Sequence, residues 1–109
     1  MANTFKLKTK ANVGVTTVGI YTAPAATTTV VIGITLSNTS GSGVNVGVGI
    51  TRAGTTEDVK LLKNAPLPQG SSLEFMAGNK VVLETTDTLT VDSDTNSSVD
   101  AALTIMEIT

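Results

Sequence analysis

Tyr21-Thr22-Ala23-Pro24-Ala25-Ala26-Thr27-Thr28-Thr29 leads into Val30-Val31-Ile32-Gly33-Ile34-Thr35-Leu36-Ser37. After Asn38-Thr39-Ser40-Gly41-Ser42-Gly43 the chain resumes as Val44-Asn45-Val46-Gly47-Val48-Gly49-Ile50-Thr51. On the first arm Val30, Ile32, Ile34 and Leu36 alternate with Val31, Gly33, Thr35 and Ser37. On the second, Val44, Val46, Val48 and Ile50 alternate with Asn45, Gly47, Gly49 and Thr51. A period of two is that of a strand with one face buried, and the intervening Asn, Thr, Ser and Gly residues suit a turn. The stretch from Tyr21 to Thr51 therefore reads as a β-hairpin.

The same period extends outward. Phe5 and Leu7 alternate with Lys6, Lys8 and Lys10, which predicts a short first strand. Val13 and Val15 share one parity, whereas Val18 and Ile20 share the other, which places a bulge or break near Thr16-Thr17. Beyond the hairpin, Glu57 to Lys63 reads as a strand with Val59 and Leu61 inward. Asn64 to Gly70 interrupts it with two prolines, the mark of a connection or a sheet edge. Leu73 and Phe75, then Val81 to Thr85 after a turn at Ala77-Gly78-Asn79, then Leu89 and Val91 mark further strands. The last runs from Val99 to Ile108, and its parity passes from Val99, Ala101, Leu103 and Ile105 to Met106 and Ile108, which suggests a second bulge or a strand covered on both sides.

About eight short strands, with no helical periodicity, predict an antiparallel β-sandwich of Ig-like or jelly-roll type. The 109 residues read as a single domain, with residues 1–10 an N-terminal arm or an edge strand. There is no cysteine, so the fold needs no disulfide. No apolar run suits a signal peptide or a membrane helix, and the expectation is a soluble protein made in the cytoplasm. A net charge of -2 argues against binding duplex nucleic acid by phosphate neutralisation. Charged residues are only 15% of the chain, and the outward alternation is built of Thr, Ser, Asn and Gly, as in a surface made to be covered by partners.

Two stretches carry a family likeness. One is Tyr21-Thr22-Ala23-Pro24-Ala25, the Thr patch, the apolar strand and Asn38-Thr39-Ser40. The other comprises Leu61-Leu62-Lys63-Asn64, Pro68, Ser72-Leu73-Glu74, Gly78, Lys80-Val81-Val82-Leu83-Glu84, Asp87, Leu89, Val91, Ser93-Asp94 and Asp100-Ala101. Together they resemble small virion structural proteins of tailed bacteriophages, of the marine and cyanobacterial phage type. The resemblance implies a β-sandwich incorporated in the virion, as a capsid decoration (cement) protein or a component of the neck or tail. It implies other virion proteins as partners, a homo-oligomer such as a trimer at a capsid threefold position, and no catalytic residues. Within that pattern Pro24 turns the chain after Tyr21, and Tyr21 caps the core while its hydroxyl reaches a backbone group or water. Gly70 and Gly78 permit turns, and Asp87 caps the turn before Leu89.

Three constellations could carry chemistry. Asp92, Asp94, Asn96 and Ser98 imitate the start of a calcium loop, but Ser97 and Leu103 stand where Gly and Glu are required, so a polar hairpin turn is the better reading. Lys6, Lys8 and Lys10 share one face of a strand about 7 Å apart, as a solvated protective row or as an arm laid on a neighbouring subunit. Glu57, Asp58, Glu74, Glu84, Asp87 and Glu107 could supply a carboxylate pair, but the chain has no Trp, no His and no Cys to complete an active site. No catalytic, cofactor or metal residue is assigned, and an enzyme is not expected. The candidate interaction surface is Lys6, Lys8, Lys10, Asn45 and Thr51. A receptor-binding or carbohydrate-binding module is the rival to a virion structural protein, weakened by the shortage of aromatic residues, and a secreted adhesin module stands third.

Overall fold

The computed structural model describes residues 3–52, 57–75 and 81–109. Nine strands lie within them: β1 (Asn3–Val13), β2 (Val18–Thr22), β3 (Thr28–Asn38), β4 (Val44–Arg52), β5 (Glu57–Leu67), β6 (Ser72–Phe75), β7 (Val81–Leu83), β8 (Asp87–Ser93) and β9 (Val99–Ile108). One sheet has the order β1-β9-β3-β6, with β7 also paired to β3, and the other has the order β2-β8-β4-β5. Every pairing is antiparallel.

The pairs are nested. β4 pairs β5, β3 pairs β6 and β7, β2 pairs β8, and β1 pairs β9. The chain is one long hairpin, centred between β4 and β5, rolled up so that successive pairs fall alternately in the two sheets. That is a jelly roll, the second of the two architectures the strand spacing allowed.

This topology corrects the opening hairpin. β3 and β4 are both strands, but they lie in different sheets and share no ladder. The connection over 39–43 is an arch that carries the chain from one layer to the other. Asn38 holds it: its side-chain amide donates to the carbonyls of Ser42 (2.8 Å) and Leu67 (3.0 Å), and its oxygen accepts from the Ser40 amide and hydroxyl. Alternation shows that both arms are half buried and leaves open whether they bury the same face of one sheet or meet across a core. The true neighbour of β4 is β5, which turned out longer than expected, running on through Ala65-Pro66-Leu67. It does so as an edge strand, where a missing proline N–H is tolerated, and with Asn64 at φ 53° in a bulge.

The core lies where the inner faces meet. Val31, Ile34 and Leu36 of β3, Val44, Val46 and Val48 of β4, Leu89 and Val91 of β8, and Val99, Leu103 and Ile105 of β9 are all buried. Two parity expectations change. In β3 a register shift between Val31 and Gly33 lets Ile32 bulge, so Val31 and Thr29 point inward in place of Val30 and Ile32. In β9 there is no switch: odd residues stay inward through Glu107, and Met106 and Ile108 remain on the outer face. The break near Thr16-Thr17 is real, and it is the crossing from β1 in one sheet to β2 in the other. Val59 and Leu61 are not a buried pair. Val59 sits opposite Ile50 but stays exposed, and Leu61 falls at a register shift and packs only partly on the core.

Gly70 adopts φ 69°, the left-handed conformation expected of a turn glycine. The Ala77-Gly78-Asn79 turn lies outside the described residues.

Candidate assembly surface

The first sheet has one face in the core and one outside, and β1 is its edge. In the β1·β9 ladder Lys6 is opposite Ile105, Lys8 opposite Leu103 and Lys10 opposite Ala101, all inward residues of β9. Directly opposed residues share a face, so the lysine row points to the core side. Phe5 is opposite Met106 and Leu7 opposite Thr104, so these two apolar side chains point outward, 69% and 65% exposed.

The inward position of Glu107 explains part of this inversion. The residue is buried at the end of the core, and its carboxylate accepts from the Tyr21 hydroxyl at 2.5 Å and from Lys6 Nζ at 2.9 Å. Thr29 Oγ1 lies 2.8 Å from the same Tyr21 oxygen. The Tyr21 hydroxyl thus reaches side chains, where a backbone group or water was expected. The hydrogen bond from Tyr21, then that from Lys6, holds the Glu107 carboxyl below the usual carboxylate range. Burial, then the hydrogen bond to Glu107, pushes the Tyr21 phenol up to about 12. Lys6 therefore ties the edge strand to a buried acid, a use of an inward-pointing charge that also discourages another strand from adding to that edge. The strict period through Val99, Ala101, Leu103 and Ile105 places Glu107 inward, and β9 carries no bulge between Ile105 and Met106.

On the outer face the ladders line up residue by residue. Val82 of β7 is opposite Val30 of β3, Val30 is opposite Met106 of β9, and Met106 is opposite Phe5 of β1. Four apolar side chains from four strands form one row across the sheet, with Val82 54% exposed. Leu7 lies on one side of the row and Ile108 on the other, and Ile32 bulges beside it. The next rows are Leu7, Thr104 and Gly33, then Thr9, Ala102 and Thr35. Across β1, β9 and β3 none of these positions is charged, and the Thr35 row continues on β6 with Glu74.

The other expected surface residues are not gathered with this face. Asn45 and Thr51 are exposed, but they stand at opposite ends of β4 on the outer side of the second sheet. Gly47 and Gly49, between them, are buried. A Cβ on Gly49 would lie 2.8 Å from the Val59 carbonyl, so β5 approaches β4 too closely there for any side chain. The outward row of β4 is thus interrupted between Asn45 and Thr51.

The polar constellations are structural. Asp92 accepts from Thr17 (3.3 Å), Asp94 from the Asn45 amide and Thr95 (both 3.1 Å), and the Ser98 hydroxyl lies 2.7 Å from that of Ser93. They brace a turn that is again an arch, from β8 in one sheet to β9 in the other, and not a hairpin. Asp87 does cap its turn, accepting from the Glu84 amide at 3.0 Å, and both Asp87 and Glu84 pair with Arg52. Asp58 and Glu74 sit on β5 and β6, so the acids are dispersed. Among the described residues, no three His, Cys, Asp or Glu side chains are placed to hold a metal ion.

No family model matches the sequence, and no curated protein is significantly similar to it. Among solved structures, the chain is similar to a subunit of Bacillus endospore appendages, described as disulfide-linked pili, at 16% identity and a TM-score of 0.57, with 99% of this chain and 87% of that one covered. It is also similar to a chain in the structure of infectious bursal disease virus, Gx strain, at 13% identity and a TM-score of 0.51. That match covers 95% of this chain and 32% of the viral one, so the chain corresponds to about a third of its length. At these identities the likeness is one of fold: a two-sheet antiparallel sandwich found in subunits of assemblies.

Proposed function

We propose that the chain is a non-enzymatic structural subunit of a virion, built into the particle by burying the outer face of its first sheet. The observation that carries this reading is the Val82, Val30, Met106, Phe5 row. A contiguous apolar patch rimmed by polar residues is unfavourable in water and marks a surface that a partner covers. The jelly roll is a fold of viral capsids, and the likeness to a chain of infectious bursal disease virus supports the same reading. Tyr21, Glu107 and Lys6 are engaged in clamping β1, and Asp87, Asp92 and Asp94 in bracing turns.

The finer reading follows the resemblance to tailed-phage proteins: a capsid decoration protein that stabilises the particle through contacts with the major capsid protein. Repetition over the lattice would then supply avidity that a single small contact lacks. Quantitative mass spectrometry of purified particles tests this. Many copies per particle, and capsids that lose heat resistance without the protein, are expected. A few copies confined to the neck or tail would replace decoration with a connector role, and absence from the particle would end the virion reading.

A second reading is a filament subunit, favoured by the Bacillus appendage likeness, which spans nearly the whole of both chains. Those pili are disulfide-linked, and these 109 residues hold no cysteine, so a filament here would have to rest on non-covalent contacts. Ordered fibres in electron micrographs of the concentrated protein would favour it over the virion.

A further inference from the structure

β1 is scarcely embedded in the fold. Of its eleven residues only Val13 is buried and Lys8 half-buried, although the strand pairs with β9 along nearly its whole length. It is held by that ladder and by Lys6 on Glu107. At its end the Asn12 amide donates to Asp100 (3.0 Å), the Ser98 amide to the Val13 carbonyl (3.1 Å) and the Ser93 amide to the Gly14 carbonyl (2.9 Å). All of these attachments lie before Val15. Residues 3–14 therefore form a unit whose polar contacts are with β8, β9 and the turn between them.

The bend that follows this unit is made of residues that favour strand. Gly14-Val15-Thr16-Thr17 carries the chain from the first sheet to the second and turns at Val15 and Thr16, both exposed. β-Branched side chains are stiff and prefer extended backbone. The other described crossings between the sheets use Pro24, the Asn38 to Gly43 stretch, Pro68 to Gly70 and Asp94 to Ser98, and the one over 84–86 is closed by the Asp87 cap. Drawn out straight, Val15-Thr16-Thr17 would join β1 to β2 in one run of strand residues. Local preference and the closed fold disagree at this bend.

We infer that β1 is exchanged with a second copy of the chain: each copy opens the bend at Val15-Thr16 and lays residues 3–14 on the β9 of the other, about a two-fold axis. Every contact of the unit is remade between copies, Lys6 on the second copy's Glu107, Leu7 opposite its Thr104 and Gly14 on its Ser93. No new complementarity is needed, because the slot is the one the strand already fills. A vacant slot would leave β9 as an open edge and take the lysine from Glu107, so a second β1 is its fitting occupant. Closed and exchanged forms then differ in two respects. A tethered strand has an effective concentration of the order of millimolar, which favours the monomer in dilute solution. Each dimer straightens two disfavoured bends, which favours exchange.

The exchange is independent of what covers the outer face of the sheet and of whether the protein is found in particles. Two single-cysteine chains test it, since the protein has no cysteine of its own. Leu7 and Thr104 are exposed and directly opposed, at the Cα separation of about 4.5–5.5 Å that a disulfide accepts. Leu7→Cys and Thr104→Cys chains, co-refolded at millimolar concentration and then oxidised, should give a linked mixed dimer. Mixed once folded, they should link far more slowly, because β1 must first unzip from β9. Thr51→Cys in place of Thr104→Cys should stay unlinked. Val15→Asn with Thr16→Gly, which supplies turn residues, should lower the linked fraction roughly tenfold, and Thr16→Pro, which drives Val15 extended, should raise it. Should Thr16→Pro fail to fold, the native bend and the Val15→Asn, Thr16→Gly chain still decide. A protein that stays monomeric after refolding at millimolar concentration would overturn the exchange. So would linkage that is equally fast without co-refolding, or a linked fraction indifferent to the bend variants. Sedimentation should show a closed dimer, and open-ended oligomers would overturn the reciprocal pair.

Discussion

β4 and β1 carry the same sequence signature and meet opposite fates. Each alternates strictly, Val44, Val46, Val48 and Ile50 in one, Phe5 and Leu7 against Lys6, Lys8 and Lys10 in the other. In β4 the apolar row is the core. In β1 the apolar row faces out and the lysine row faces the core side. The difference is one of neighbours: β4 has β8 and β5 on its flanks and the first sheet across from it, whereas β1 is an edge paired only with β9. Across the sandwich it meets the five-residue β2 and, less, β8. Period assigns residues to two faces; what covers a face depends on the packing of the other strands.

That contrast can be broken or sharpened by experiment. The largest effect belongs to the inner face: Leu103→Ala, opposite Lys8, should lower unfolding free energy by about 2–5 kcal/mol in chemical denaturation, since it empties a fully buried site. Next is Gly49→Ala, whose new methyl meets the Val59 carbonyl and should cost about 1–3 kcal/mol by forcing β5 away from β4. A loss below 0.5 kcal/mol would mean that the close approach is not maintained in solution. Tyr21→Phe leaves Glu107 with one fewer donor and should cost about 1 kcal/mol.

The clamp on β1 has a pH signature at each end. Glu107 is held below its ordinary value in the folded state, so its contribution is present above the unfolded carboxylate range and lost as pH falls through it. Glu107→Gln should flatten the acid limb of a stability–pH curve. Tyr21 is raised, so its contribution is full below the unfolded value near 10 and is lost as pH rises towards about 12. It is the single tyrosine, so absorbance at about 295 nm reads it alone; a midpoint at the ordinary value near 10 would show that the phenol is not sequestered. The smallest effect on stability is expected on the outer face: Phe5→Ser should change unfolding free energy by no more than about 0.5 kcal/mol, the usual range for an exposed site.

Much of the fold was legible. Strands appear wherever the alternation predicted them, because a half-buried strand must repeat every two residues whatever it pairs with. The Asp87 cap and the Gly70 turn were legible for the same reason, since each depends on its own few residues. Pairing was not. Asn38 to Gly43 and Asp94 to Ser98 have the composition of hairpin turns and serve as arches, because Asn, Ser and Gly suit any tight reversal of direction and do not specify which layer the chain enters next. The candidate surface was legible only in part. Lys6, Lys8 and Lys10 do share a face, but the apolar row they alternate with is the exposed one, and Val82, Val30 and Met106 join it from strands scattered through the chain.

By itself, then, the sequence determined a protein of short antiparallel strands with few charged residues and a Thr-rich outward alternation, because period and composition are local properties. Only the tertiary structure decided that the strands nest as a jelly roll, that Glu107 is buried and that Phe5, Met106, Val30 and Val82 align. These depend on register between residues as far apart as Thr4 and Glu107, and a ladder shifted by one residue would turn each of those side chains to the other face.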